Sequence, residues 1–172
     1  MVHHPKADIS IYPLVYPDTT SIDQTAIDES VFPKQQESIP LLTSAYILGF
    51  PKYQGVQEYL SPLAKKTQIA SKITSVNILN VPPETKYVFL DEALSQGYSG
   101  APVFYYQAVA SGIAFGGKPM MIDGNIRLLG VQSGDIPDDT GGKLSLVVPI
   151  QYLWEILESD EFIRYEKSHE KK

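Results

Sequence analysis

The sequence of 172 residues contains no cysteine and only three histidines, so several kinds of chemistry have few or no residues to support them. Without cysteine the chain has no disulfide, no thiolate metal site and no cysteine nucleophile. The acidic stretch at residues 135–142 superficially suggests a calcium loop, but Leu146 occupies the twelfth position, where an EF-hand requires a carboxylate. We therefore predict neither a metal ion nor a cofactor.

Positive charge and long apolar runs are also scarce. Fourteen lysines and arginines stand against twenty aspartates and glutamates, which gives a net charge of -6. Nucleic-acid-binding proteins usually carry a basic patch, so a nucleic-acid partner is not expected. No apolar run approaches the roughly 18 residues of a membrane-spanning helix, and residues 1–6 do not begin a signal peptide. The chain is predicted to be soluble, and cytoplasmic if Met1 is its native start; otherwise its compartment is left open.

The order of strand-like and loop-like segments favours an all-β protein. Residues 1–14 contain one short alternating strand from Asp8 onward, and residues 15–43 have the Pro, Asp, Thr, Gln and Ser content of a linker. Residues 44–149 hold six strand-like runs with no helices between them, which excludes a βαβ arrangement. The runs are 44–50, 67–79, 86–90, 101–108, 125–133 and 144–148.

Two further local patterns complete this assignment. The dipeptide Asp123-Gly124 is a hairpin turn signal, so residues 119–122 are predicted to pair with the run at 125–133. Apolar residues recur at helical spacing from Ile150 to Leu157, which predicts an amphipathic helix within a C-terminal segment at 150–172 that ends in a charged tail. A barrel or a sandwich followed by a helix fits both patterns.

The most informative motif is the turn Gly97-Tyr98-Ser99-Gly100, which is followed by Ala101 and an apolar strand. Glycines let the backbone turn tightly enough to present a serine hydroxyl beside free N–H groups. A nucleophile elbow requires Gly-x-Ser-x-Gly between a strand and a helix, and this sequence has Ala101 in place of the second glycine and no helix after it. An ordinary tight turn between strands is the alternative interpretation.

Five stretches in the same order resemble the trypsin-like (chymotrypsin-fold) serine peptidases. They are Asp-Ile-Ser-Ile at 8–11, the segment 45–51 that ends in Gly-Phe-Pro, the serine turn at 97–102, Leu-Gly-Val-Gln-Ser at 129–133, and the last strand at 146–150. The resemblance implies a six-stranded antiparallel Greek-key barrel over 44–149. It also implies that residues 1–14 are one remaining strand of a first barrel that is missing from this chain.

The resemblance further implies roles for particular residues. Ser99 would be the nucleophile, Asp8 the carboxylate that orients the base, and the N–H groups of Gly97 and Ser99 the oxyanion hole. The pocket for the substrate side chain would have Ala93 at its base. The residues implied along its walls are Gln96, Ser133, Gly134 and Asp135. The uncharged Ala93 favours a small or apolar substrate side chain, while Asp135 leaves a basic one open.

The residue that the resemblance does not supply is the base. The family's histidine precedes the aspartate by tens of residues, whereas this chain has only His3, His4 and His169. Four residues of extended chain separate His4 from Asp8, about 13 Å at roughly 3.3 Å per residue, which is too far for a hydrogen bond unless the chain turns back. We therefore interpret His3 and His4 as exposed residues of a truncated strand rather than as the base.

Three hypotheses follow. The chain is an incomplete trypsin-like endopeptidase, inactive alone, that acts on protein or peptide substrates. Alternatively, it is a non-catalytic peptidase-like module that binds protein, or an unrelated all-β interaction domain. If a first barrel is missing, the exposed face beside Asp8 is expected to promote self-association. The peptidase interpretation requires Ser99 Oγ and the Asp8 carboxylate to face one cleft, separated by a gap about one imidazole wide.

Overall fold

A computed structural model describes residues 1–12, 27–33, 39, 41–53, 61–76, 84–92, 94, 96–113, 119–137 and 143–169. Strands dominate these residues, and two short helices follow the last strand. The strands are β1 Val2–His3, β2 Ser10–Ile11, β3 Ser44–Gly49, β4 Leu63–Gln68, β5 Thr74–Ser75, β6 Lys86–Leu90, β7 Pro102–Ile113, β8 Pro119–Pro137 and β9 Lys143–Pro149. The helices are α1 Gln151–Leu157 and α2 Asp160–His169, and single 3-10 turns lie at Glu29–Val31 and Pro51–Tyr53.

The strands form two antiparallel sheets. β1 pairs with β2, and the other seven strands form one sheet in the order β4-β3-β7-β8-β9-β6-β5. Just beyond β4, Ile69 makes a bridge to Leu90 at the end of β6, and the Ala70 N–H donates to the Phe89 carbonyl at 2.8 Å. The two residues that follow β4 therefore contact the end of β6 directly. The prediction of a mostly β, antiparallel chain that ends in helix is confirmed, with two short helices instead of one.

The sequence forms these strands because apolar side chains alternate along them. In β3 the residues Ala45, Ile47 and Gly49 are buried while the residues between them are not. β9 differs because its last five residues are all buried. Successive side chains of a strand point to opposite faces, so both faces of β9 must pack against other parts of the protein. The main core lies on one face of β9 and includes Val147. On its other face Val148 packs with Tyr87 and with Tyr152 of α1.

The structure corrects the predicted hairpin at Asp123-Gly124. β8 is one continuous strand of 19 residues, and it pairs with β7 from Pro102 opposite Val131 to Ile113 opposite Pro119. Gly124 lies within β8, opposite Ala108. A Cβ atom on Gly124 would overlap the ring of Tyr106. Glycine is therefore needed there because an aromatic ring lies close to the backbone, and not because the chain turns.

Other predicted boundaries also shift. The run at 67–79 is divided, because β4 ends at Gln68 and only Thr74–Ser75 forms a strand after it, while residues 77–79 lie outside the described residues. Of the strand predicted from Asp8, only Ser10–Ile11 is regular, and residues 13 and 14 are not described. The part of the predicted linker that is described contains a 3-10 turn capped by Asp28, which accepts from the Ser30 N–H at 2.8 Å. No helix among the described residues is both long and apolar enough to cross a membrane.

Asp91 joins the end of β6 to β4 and makes the stability depend on pH. Its carboxylate accepts from the Thr67 hydroxyl at 2.6 Å and from the Gln68 N–H at 2.9 Å. The Thr67 hydrogen bond, together with that of Gln68, holds the pKa of Asp91 below its usual range. A depressed pKa stabilises the fold above the unfolded-state value of about 3.9, and this contribution is lost as the pH falls through the folded-state pKa.

We expect Asp91→Asn to cost about 0.5–1 kcal/mol at pH 7, since the carboxylate is exposed and solvent weakens its charged hydrogen bonds. The variant should also lose less stability than the wild type when the pH falls from 5 to 2, because its side chain has no proton to bind. Urea denaturation at a series of pH values measures both quantities. Parallel pH profiles for the two proteins would contradict this role of Asp91.

Candidate functional site

The serine turn is held against β8 by backbone hydrogen bonds. The Gly100 N–H donates to the Gln132 carbonyl at 2.8 Å, and the Gln132 N–H donates to the Ala101 carbonyl at 2.9 Å. Gly97 has φ +104° and Gly100 has φ +83°, a region that residues with a side chain rarely adopt. Ser99 lies between these two glycines and is exposed. The glycines predicted from sequence to allow a tight turn are therefore in the conformation that requires them.

Residues 49–52 support the turn from the other side. The ring of Tyr98 is buried and lies over Gly49, where an added Cβ atom would be 2.6 Å from Tyr98 Cδ1. The Lys52 N–H donates to the Gln96 carbonyl at 3.3 Å. Gly97 also lies close to this stretch, because a Cβ atom added to Gly97 would be 2.7 Å from Pro51 Cα. Two stretches far apart in the sequence thus fix the position of Ser99 together.

Ser133 links Ser99 to Asp8. The pairing of β8 with β9 shifts register between Gln132 and Gly134, which leaves Ser133 as the extra residue of a β-bulge. Bulges redirect a side chain and often occur beside functional sites. The Ser133 hydroxyl donates to Asp8 Oδ2 at 2.8 Å, and the Ser99 hydroxyl donates to the Ser133 carbonyl at 3.4 Å, which is near the limit for a hydrogen bond.

Ser99 and Asp8 line the same cleft, which has a volume of about 360 Å³. Shared lining of one cleft is the first part of what the peptidase interpretation requires of Ser99 and Asp8. The other residues that line the cleft are Ile9, Ser10, Gly100, Val131, Gln132, Ser133 and Leu153. Gln132 is a site residue that sequence analysis missed, because a glutamine within an apolar strand carries no motif of its own. Ser10 and Leu153 lie within patterns that the sequence analysis identified, but neither pattern assigned them to the cleft.

A short N-terminal hairpin carries Asp8 to the cleft. β1 and β2 pair with Val2 opposite Ile11 and His3 opposite Ser10. The His4 side chain is only 3% exposed, and its ring packs against Tyr152 of α1 at a centroid distance of 4.6 Å. The hairpin is therefore fastened to α1, and Asp8 lies in the loop that joins its two strands.

The two described histidine side chains have partners other than Ser99 and Asp8. His4 Nδ1 accepts from the Lys6 N–H at 3.1 Å, so Nε2 carries the proton and donates to Glu155 Oε2 at 2.9 Å. His3 is exposed, and its Nδ1 lies 2.5 Å from the Ser10 hydroxyl at the edge of the cleft. The chain does turn back at His4, contrary to the extended geometry assumed above. No hydrogen bond joins His3 or His4 to Asp8 or Ser99 among the described residues, and the His169 side chain lies outside them.

Of the remaining predicted site residues, Gly97, Gln96 and Gly134 are not among those that line the cleft of Ser99. The N–H groups of Gly97 and Ser99 donate to no other residue that the structure describes. Gln96 is exposed, and the Gly134 carbonyl accepts from Gln132 Nε2 at 3.3 Å. The predicted pocket base, Ala93, lies outside the described residues.

The carboxylate of Asp135 accepts a hydrogen bond from the segment that precedes the serine turn. Its Oδ1 accepts from the Leu94 N–H at 3.2 Å and lies 2.5 Å from the hydroxyl of Ser145. Ser145 is fully buried; its Oγ accepts from the Leu94 N–H at 3.0 Å, and its one hydroxyl hydrogen is shared between Asp135 Oδ1 and the Glu92 carbonyl, which lies 2.8 Å away. Asp135 is not among the residues that line the cleft of Ser99. These contacts give Asp135 a role in holding Leu94 directly and Glu92 through Ser145.

We expect Asp135→Ala to cost about 1–3 kcal/mol, since it removes an acceptor from two donors. Asp135→Asn keeps a carbonyl oxygen at the same position, so its cost should be below 1 kcal/mol. Chemical denaturation of the two variants measures the difference. If Asp135 selects a basic substrate instead, Asp135→Asn will weaken the binding of lysine- and arginine-containing peptides while Asp135→Ala leaves stability unchanged, and that outcome would overturn the anchoring role.

Within the described residues no group of three or more His, Asp or Glu side chains is arranged to hold a metal ion. The chemistry available at the cleft is that of hydroxyls, one carboxylate, one amide and backbone N–H groups. Comparison with family models, curated proteins and solved structures found no match to this chain.

Proposed function

We propose that this chain is the serine-bearing part of a trypsin-like serine endopeptidase. Ser99 is the nucleophile, Asp8 orients the base, and the N–H groups of Gly97 and Ser99 form the oxyanion hole. The observation that carries the proposal is the shared cleft, in which Ser133 contacts both Ser99 and Asp8. Ser99 and Asp8 are more than 90 positions apart in the sequence, so a chance resemblance of the serine turn alone would not bring them together.

We further propose that residues 44–149 form a closed six-stranded barrel. Strands β4, β3, β7, β8, β9 and β6 are neighbours in that order, and the bridge between Ile69 and Leu90 supports contact between the first and the last of them. Closure removes exposed strand edges, which otherwise invite pairing with other chains. The barrel would place the serine turn and the Ser133 bulge beside each other.

The chemistry follows from the contacts at the cleft. Ser99 Oγ attacks the carbonyl carbon of the scissile peptide bond while a base takes its proton, and the two N–H groups stabilise the negative charge on the carbonyl oxygen. The amine leaves with that proton, and water then hydrolyses the acyl-enzyme. One oxygen of Asp8 accepts from Ser133, which fixes the carboxylate so that its other oxygen can hold the N–H of a base.

Catalysis by the chain alone is expected to be weak. A serine without its base loses roughly four to six orders of magnitude in rate, although an oxyanion hole retains some catalysis. His4 is committed to Lys6 and Glu155, and this observation favours the second candidate function, a non-catalytic module that binds peptides in the same cleft.

A fluorophosphonate probe tests the catalytic proposal. We expect slow covalent labelling of the full chain at Ser99, located by mass spectrometry, and complete loss of labelling in Ser99→Ala. Ser10→Ala is the matched control, because Ser10 lines the same cleft and its loss should leave labelling intact. Absence of labelling at high probe concentration over many hours, or labelling at Ser10, would reject the nucleophile and leave the binding module as the better explanation.

A further inference from the structure

The Gln132 side chain has an unused hydrogen-bonding group at the cleft. Gln132 is 3% exposed and lines the cleft beside Ser99. Its Nε2 donates to the Gly134 carbonyl at 3.3 Å, which determines the orientation of the amide. Its Oε1 is buried and has no hydrogen-bond partner among the described residues. A buried acceptor without a donor is unfavourable, so a ligand that supplies one gains affinity.

The amide can accept and donate at the same time. Each Gln Nε2 carries two hydrogens, and Gly134 takes only one of them. Binding requires the Gln132 amide to rotate so that Oε1 comes within reach of the cleft. The last torsion of a glutamine is broad, and the hydrogen bond that opposes the rotation is the long one to Gly134 at 3.3 Å. A second primary amide matches this group, because its N–H donates to Oε1 while its carbonyl accepts the remaining N–H of Gln132.

The charges around the cleft favour a neutral ligand over a cationic one. Burying a lysine or arginine side chain requires a carboxylate partner. One oxygen of Asp8 accepts from Ser133 and the proposed function assigns the other to the base, while Asp135 is occupied by Leu94 and Ser145 outside the cleft. Gln132 itself carries no charge. An uncharged donor therefore fits the wall that the structure presents.

We propose that Gln132 makes this cleft selective for a peptide segment with an asparagine or glutamine side chain, bound through a reciprocal pair of amide hydrogen bonds. The position of that side chain before the scissile bond rests on the proposed peptidase function. The selectivity itself needs only peptide binding in the cleft.

Binding is measured with the Ser99→Ala full chain, so that no chemistry contributes. The probes are two blocked hexapeptides that are identical except for glutamine or its near-isostere methionine at the third position. We expect the glutamine peptide to bind about tenfold more tightly, a difference of about 1.4 kcal/mol, by calorimetry. Gln132→Met should remove the preference. Gln151→Met is the matched control, because Gln151 also has a buried Oε1 without a described partner but does not line this cleft.

A second measurement keeps the test valid if Gln132→Met does not fold. In the Ser99→Ala chain with native Gln132, the side-chain NH₂ resonances of Gln132 should shift on addition of the glutamine peptide and not of the methionine peptide. Equal affinities for the two peptides, or a preference that survives in Gln132→Met, would overturn the proposal and indicate a resident water on Oε1. Failure of the fluorophosphonate reaction leaves these results unaffected, so the two proposals fail separately.

Discussion

Gly97→Ala is expected to destabilise the protein by about 2–5 kcal/mol and to abolish labelling of Ser99 by a fluorophosphonate. Alanine at φ +104° costs about 1–2 kcal/mol because its Cβ is crowded in the left-handed region. The added Cβ would also lie 2.7 Å from Pro51 Cα, 2.8 Å from the Phe50 carbonyl oxygen and 2.9 Å from the Lys52 nitrogen. These are backbone atoms, which cannot rotate away, so a clash worth about 1–3 kcal/mol is added.

The Gly100→Ala variant separates the cost of a positive φ from the cost of the clash with backbone atoms. Gly100 has φ +83°, but apart from Gly100 and its chain neighbours no described residue has an atom within 4 Å of a Cβ placed there. It should therefore cost only the conformational part, about 1–2 kcal/mol. Urea denaturation gives the two stabilities, and the rate of fluorophosphonate labelling reports the position of Ser99. Equal losses for both variants would show that residues 50–52 do not support the turn.

The features that local sequence predicts well are those that local chemistry determines. The strands β3, β6 and β9 were predicted within one or two residues, because each combines β-branched or aromatic residues with a clear boundary such as Pro51 or Pro149. The serine turn was predicted for a similar reason, since glycines at 97 and 100 are needed wherever φ is positive.

Features that depend on distant residues were not predictable. The dipeptide Asp123-Gly124 has the composition of a hairpin turn, and only the presence of Tyr106 across the strand explains a glycine in the middle of β8. Gln132 is likewise unremarkable in the sequence, and its buried, unpaired Oε1 is visible only when the neighbouring strands are in place. The hydrogen bond between Ser133 and Asp8 spans 125 positions, so no local pattern encodes it.

The prediction from sequence that His4 is exposed is wrong, and the N-terminal segment shows the reason. A histidine followed by Pro5 reads as an exposed turn, yet the His4 ring is buried against α1. The apolar face of α1 was predicted from its spacing, but the residue that packs on Tyr152 could not be identified without the tertiary structure. A structural role for His4 also leaves it unable to act as the base for Ser99.

We expect His4→Ala to destabilise the protein by about 2–4 kcal/mol and to release the N-terminal hairpin from α1. The substitution leaves a cavity against Tyr152 and removes the acceptor of the Lys6 N–H. Asp8 then loses its fixed position, so its hydrogen bond to Ser133 should be lost as well. Amide hydrogen exchange at position 4 measures the release. In the native hairpin the N–H of this residue donates to the Ile9 carbonyl at 3.0 Å, and we expect this hydrogen bond to open when the hairpin leaves α1.

Glu155→Gln distinguishes packing of the His4 ring from its charged contact. Glutamine retains an acceptor for His4 Nε2, and the Glu155 side chain is 59% exposed, so the cost should stay below about 1 kcal/mol. Amide protection in the hairpin should survive in Glu155→Gln and disappear in His4→Ala. Protection that persists in His4→Ala would mean that the hairpin is held by contacts other than His4. The position of Asp8 beside Ser99 would then have to depend chiefly on Ser133.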